Sequence, residues 1–227
     1  MNYLSETFIP YAQYLIPLLI KGLWITIYIS ASAFILSVLL GSILAVVQYF
    51  KIKILAPIVK IYVSYFRGTP LLIQLFLFYY GLPLVFDFMK VFPKHLALVL
   101  CLALNSAAYI SESIRGAIES VDKGQYEASM AFGLTHFQMM TKIVLPQAAV
   151  AAIPPIVNSG MDIIKMSSLG MTIGIQDIMG EAQLSAATSY KTFETYILAA
   201  VFYWILAIVL GYVQKKIEKK VNTAYQK

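Results

Sequence analysis

A chain of 227 residues that is 60% hydrophobic and only 12% charged has the composition of a membrane protein, since soluble domains carry roughly 45–50% apolar and about 25% charged residues. Its net charge of +6 is dispersed over connections and tail rather than gathered on one face, which speaks against a nucleic-acid partner. The single cysteine, Cys101, excludes an intrachain disulfide and, with two histidines far apart, argues against a metal site.

A bilayer core about 30 Å thick takes roughly 20 apolar residues per helix. The uncharged runs supply five such segments, at 22–50, 68–86, 95–111, 143–161 and 195–214. The ten-residue alternation of a membrane barrel is absent. The expectation is an all-α integral membrane protein with five transmembrane helices, forming a single domain over 1–227. The opening "MNYLSETFIP" has no basic stretch and contains Glu6, so it does not read as a cleaved signal peptide.

After the first segment, "KIKILAPIVKIYVSYF" (51–66) is amphipathic but too charged to span, and predicts a helix along the membrane surface. "RGTP" then breaks the chain, with Thr69 as N-cap and Pro70 at the first helical position of segment two. That segment runs to "GLP" (81–83), where the chain turns through a short loop, 84–94. Lys51, Lys53, Lys60 and Arg67 on one connection, Arg115, Lys123 and Lys142 on another, and five lysines after segment five define one basic side. The positive-inside rule places the N-terminus outside and the C-terminus in the cytoplasm. The tail "VQKKIEKKVNTAYQK" is expected at the anionic inner leaflet.

The connection 112–142 is the longest on that side. Asp122 with Gln125 three residues on reads as a capping box for a helix over 123–132, and Gly133 suits the residue that ends it. Thr135 with Gln138 forms a second box, opening a helix that runs through "MMTKIVLP" into segment four. Met130, Phe132, Phe137, Met139 and Met140 are more apolar than a solvated loop requires. Short helices with small residues and methionines suit docking into a partner's groove.

"EASMAFGLTHFQMMTKIVLP" (127–146) resembles the cytoplasmic Glu-Ala-Ala signature of ABC importer permeases, with Glu127, Ala128, Gly133, Ile143, Leu145 and Pro146 at matching offsets. Ser129 departs from the usual second alanine. "RGTPLLIQLFLFYYGLP" (67–83), "AYISESIRGAIESVDKGQYEAS" (108–129) and "FETYILAAVFYWIL" (193–206) are similar to the polar amino acid permeases of that superfamily. The resemblance implies a type I importer permease of the bacterial cytoplasmic membrane. It implies pairing with a second permease, identical or homologous, with two cytoplasmic ATPases, and with an extracytoplasmic amino acid-binding protein. ATP and Mg would sit on the ATPases, and no cofactor on this chain. The sequence has no G-x-x-x-x-G-K-[ST] phosphate loop, so it is not read as the ATP-hydrolysing enzyme. The region 122–146 becomes the coupling helix, with Glu127, Ala128, Ser129, Phe132, Gly133 and Phe137 meeting the ATPase.

Polar residues within membrane segments are functional candidates by default. Asn105, Tyr109 and Glu112 share one helical face of segment three, and Asn158, Asp162 and Lys165 repeat the spacing on segment four. The bland alternatives are i,i+3 pairing of Asp162 with Lys165 and of Glu112 with Arg115, and interhelical hydrogen bonds by the two asparagines. The resemblance favours a structural or gating role for Glu112, an architectural one for Lys165 and a pore-lining one for Gln74. It makes Asp162 a carboxylate where the family usually has a neutral residue, and so a ligand for a cargo ammonium group, as in arginine, lysine, histidine or cystine. A competing class is an ion-coupled secondary amino acid transporter, with Glu112 and Asp162 as relays; inverted repeats and broken helices expected there are not evident. A membrane enzyme lacks any nucleophile motif or paired catalytic carboxylates to support it.

Overall fold

The computed structural model describes residues 4–225, with side chains described for 6–219. Among the described residues every regular element is helical. A π turn (Leu4–Phe8) leads into α1 (Ile9–Tyr49). This helix starts well before residue 22, because Lys21 interrupts the uncharged run without interrupting the helix. Its 41 residues rise about 60 Å, twice a hydrocarbon core, so it overhangs the bilayer.

α2 (Leu55–Gly68) is the amphipathic helix predicted over 51–66, and the break falls at "GTP" as expected. Its chemistry differs from the expectation. Pro70 is the N-cap residue of α3 (Leu71–Phe76) and makes no side-chain cap. Thr69 does not cap the helix; its hydroxyl and carbonyl accept from the Gln74 amide, at 2.8 and 3.1 Å. The helix also passes through "GLP" instead of turning there: a π turn (Leu77–Gly81) carries it into α4 (Leu82–Val85), because proline fits a helix's first turn. A 3-10 turn (Asp87–Val91) fills the loop before α5 (Lys94–Glu119).

α6 (Lys123–Ala131), α7 (His136–Met139) and a π turn (Met140–Val144) lead into α8 (Leu145–Ser167). α9 (Ile178–Ser189) has no counterpart among the elements predicted from sequence; its 12 residues are too few to span. α10 (Thr192–Tyr225) closes the described chain. Lys220's side chain and Lys227, part of the basic tail, lie outside the described residues.

Among the described residues four helical runs are long and apolar enough to cross a membrane: Glu6–Tyr49, Lys94–Glu119, His136–Ile173 and Thr192–Lys219. Taken as one broken span, Leu55–Gly68 with Leu71–Val85 makes a fifth. In the most apolar window of α5, 67% of residues are buried, against 6% in that of α10. The last helix therefore exposes Trp204, Ile205 and Ile208, an apolar surface that only lipid or a partner satisfies.

The chain packs as two compact units. The first comprises the residues up to Ile35, Thr69–Ala103 and Gly160–Gly211. Its core gathers Ile29, Leu75, Leu98, Leu102, Ile163 and Ile175, and a second cluster sets Leu15 and Leu19 against Ile178 and Ala182. α1 approaches the start of α9 so closely that a Cβ at Gly22 would stand 2.7 Å from the Asp177 carbonyl. The second unit comprises Leu36–Gly68, Leu104–Ser159 and the residues from Tyr212. In it Val59 and Val63 of α2 pack on Val47 and Ala108, and Ile118 and Val121 pack on Met139, Met140 and Val144. Small residues such as Ala107 and Ala108, both fully buried, let helices approach where lipid supplies no hydrophobic contrast.

Candidate functional site

The insert at 122–146 is built by caps. Asp122 accepts a hydrogen bond from the Gly124 amide at 2.7 Å and starts α6. The box expected with Gln125 does not form, because the Gln125 side chain is engaged elsewhere. Its amide and that of Gln147 exchange hydrogen bonds of 3.1 and 2.5 Å, joining α6 to the first turn of α8. At the other end Gly133 has φ +74. The Leu134 amide reaches Ser129 O and the Gly133 amide reaches Met130 O, at 3.1 and 3.0 Å. These are the paired bonds of a Schellman ending, for which glycine is favoured. Thr135 and Gln138 form the second capping box as predicted.

Proline at 146 can donate no hydrogen bond and crowds the carbonyl four residues back. The widened π turn, Met140–Val144, stands immediately before it, and keeps α7 and α8 one continuous path. Ser129 is buried and its hydroxyl donates to Gln125 O, so this departure from alanine brings its own acceptor. Met139 and Met140, read from sequence as docking residues, are instead core side chains, 2% and 3% exposed. They pack on α5, because their helical phase turns them inward. The outward apolar residues are Met130, Phe132 and Phe137, at 59%, 87% and 76% exposure. Glu127 and Ala128 are exposed beside them. The Tyr126 hydroxyl lies 3.3 Å from that of Tyr49, and burial pushes its pKa up to about 12, so it stays neutral.

The polar face of α5 meets the end of α2. The Asn105 amide, buried, donates to Phe66 O at 3.0 Å, one of the carbonyls that a helix end leaves without an intrahelical partner. Tyr109 lies under the Arg67 guanidinium, 5.5 Å from its ring centroid. Glu112 meets Arg115 at 2.8 Å and Arg67 at 3.6 Å, and Arg115 reaches Glu119 at 2.7 Å. The i,i+3 pair was legible in sequence; Arg67, 45 positions away, was not, since no local period connects it to Glu112. Arg67, Glu112, Arg115 and Glu119, with Gln48, Lys51, Lys60 and Ser64, line an open cavity of about 650 Å³ within the second unit.

Gln74 is buried and donates to Thr69. On α8, Asn158 is exposed. Asp162 pairs with Lys165 at 3.2 Å, both side chains remaining largely exposed, at 60% and 62%. A fully buried carboxylate that sequence reasoning missed, Asp177, caps α9 through the Gly180 amide at 2.9 Å. Its second oxygen faces the hydroxyls of Thr26 and Tyr203. Burial raises its pKa to about 6, against the hydrogen bonds that lower it. The Asp-x-x-Gly spacing before an apolar run was the available signal.

A family model described as "Binding-protein-dependent transport system inner membrane component" matches residues 37–223. The chain is 42% identical to "Probable amino-acid ABC transporter permease protein PatM" of Vibrio harveyi, over 95% of this chain and 96% of that one. It is 37% identical to "Arginine transport system permease protein ArtQ" of Bacillus subtilis, over 92% and 94%. A crystal structure of an amino acid ABC transporter with histidines superposes at a TM-score of 0.87 and 33% identity, over 95% of this chain and 99% of the other. A methionine ABC transporter in an inward-facing conformation shares the fold at 0.74 and 20% identity, over 90% and 96%.

Proposed function

The chain belongs to the family of binding-protein-dependent transport system inner membrane components, and from that premise we propose that it is a permease subunit of an ATP-driven importer bringing polar amino acids into the cytoplasm. Its relatives are named as amino acid permeases along nearly their whole length, which supports the cargo class. In this family the ATPase is a separate subunit, and the permease is not itself an enzyme. The assembly comprises a second permease, two ATPases carrying ATP and Mg, and an extracytoplasmic binding protein, in the bacterial cytoplasmic membrane. The N-terminus lies outside and the C-terminus inside, as the lysine and arginine distribution favours.

The observation that carries the mechanism is the mechanical continuity of the insert. Phe132 and Phe137 project from it and suit an apolar groove on the ATPase, with Glu127 beside them. The Gln125–Gln147 exchange and the Met139–Met140 core fasten the same insert to α8 and α5. When the ATPases close, the insert moves as a rigid piece, and α8 moves with it because no flexible link intervenes. α8 also bears Asn158 and Asp162, so displacement reaches candidate cargo contacts directly. Asn105, Tyr109, Glu112 and Gln74 complete the candidate set, the first three through the α2 end that they hold.

The test is uptake into liposomes containing the chain, its ATPase and the binding protein, with labelled arginine, histidine, glutamine and cystine. ATP-dependent accumulation of at least one is expected, and uptake driven by an ion gradient without the ATPase would overturn the reading. Asp162→Asn, Lys165→Gln and the double variant then assign Asp162. A charge-assisted bond to a cargo ammonium contributes about 1.5–3 kcal/mol, so Asp162→Asn lowers uptake roughly 10- to 150-fold with no rescue in the double variant. Rescue by Lys165→Gln, or normal uptake by Asp162→Asn, removes Asp162 from the cargo site.

A further inference from the structure

The cavity beside α2 contains two cations that nothing in the described structure neutralises. Arg115 is shared between Glu112 and Glu119, and Arg67 reaches Glu112. Lys51 and Lys60 line the same cavity, and their ammonium groups make no hydrogen bond or ion pair among the described residues. Lys51 is also held in an unfavourable conformation. Its φ is +49, with its amide bonded to Gln48 O and the next amide to Val47 O, both at 3.2 Å. It thus occupies the position after α1 where a helix ending of this kind favours glycine. A glycine there would relieve the backbone and remove the charge; residues kept in such conformations point to a local role.

The surroundings indicate what the charge meets. α2 winds by about 100° per residue, so Lys60 and Ser64 share the cavity face, while Ile58 and Ile61, with Ile54 just before the helix, form a neighbouring stripe. Those isoleucines are 77%, 58% and 72% exposed. On the other side of the cavity face Val59 is buried against the unit, together with Val63, which sits at the cavity's edge. Going around the helix, the order is packed face, basic cavity, exposed apolar stripe. A soluble anion has no use for the stripe, whereas a lipid uses both.

We propose that this cavity is a headgroup site for an anionic phospholipid, its phosphate held by Lys51 and Lys60 and its acyl chains lying along the isoleucine stripe of α2. The proposal requires the membrane reading of the chain and is independent of cargo, so the test reads lipid and not uptake. The complex with its ATPase is delipidated, supplied with phosphatidylglycerol in a phosphatidylcholine background, and scored for retained lipid by native mass spectrometry. Wild type is expected to retain phosphatidylglycerol over phosphatidylcholine. At roughly fivefold per lysine near a charged lipid surface, Lys51→Gln with Lys60→Gln retains about thirtyfold less. Lys51→Gly is the folding-safe variant: it loses about fivefold in retention while melting at the same or a higher temperature. Lys215→Gln with Lys216→Gln, on α10, leaves retention unchanged, and so does excess inorganic phosphate. Equal retention by wild type and the Lys51 and Lys60 variants overturns the site. Displacement by inorganic phosphate makes it a soluble-anion site, and equal loss in the α10 variant reduces it to general surface charge; both outcomes overturn the lipid proposal.

Discussion

Gly133 illustrates how a single residue sets the geometry on which the proposed coupling depends. A Cβ added there would meet nothing within 4 Å, yet the backbone sits at φ +74, so the penalty for a side chain is conformational and not steric crowding. Gly133→Val is expected to destabilise the insert by about 1–2 kcal/mol or more, and Gly133→Asn by less, since asparagine visits the left-handed region. ATPase co-purification should fall for valine and persist for asparagine; equal behaviour would argue against the Schellman ending as the determinant. Asp177 gives a pH dependence of definite sign. Its folded pKa, about 6, exceeds the ordinary 3.8, so between those values the folded chain binds the extra proton. Its contribution to stability is therefore best below about pH 3.8, declines as pH rises, and remains lower above pH 6. Asp177→Asn keeps an acceptor for Gly180 and removes the ionisation. Its melting temperature at pH 7.5 should equal or exceed that of wild type, with the advantage shrinking toward pH 5. Gly133 was legible in sequence because turn chemistry is local; the environment of Asp177 was not, because Thr26 and Tyr203 come from distant helices.

At the level of elements, sequence located the amphipathic helix after α1, the break before segment two and the insert, each marked by capping or punctuation residues within a few positions. It missed what crosses between elements. Gln125 was assigned to Asp122 by spacing, but Gln147, 22 residues later, offers a reciprocal amide pair that a capping box cannot match. Thr69 and Gln74 likewise replace a simple N-cap with a side-chain clasp. The Gln125–Gln147 joint makes a distinct prediction from the exposed phenylalanines. Gln125→Ala with Gln147→Ala should leave ATPase association intact, because Phe132 and Phe137 are untouched, and should lower the amount transported per ATP hydrolysed. The stability loss should stay near 1 kcal/mol per hydrogen bond. Reconstituted assemblies measured for uptake and hydrolysis together decide it; an unchanged ratio would mean that the core alone transmits the motion.

For the whole chain, hydropathy was enough to give the helical class and the approximate count of spans. It placed the ends less well, because Lys21 and Pro83 lie inside helices, and it gave no sign of α9, which is apolar but too short to register as a span. The orientation remains a matter of charge distribution, and reporter fusions at residue 88 and after residue 227 should signal outside and inside respectively; the opposite pair would reverse the proposed topology and remove the insert from the ATPase side. The joint between α6 and α8 also has a physiological corollary. Cells under osmotic stress change their internal salt severalfold, and ion pairs such as Arg67–Glu112 weaken as the screening length shortens. Two neutral amides carry no net charge to screen and do not titrate. The stroke proposed to pass through Gln125 and Gln147 should therefore keep the same stiffness in a swollen cell and a shrunken one.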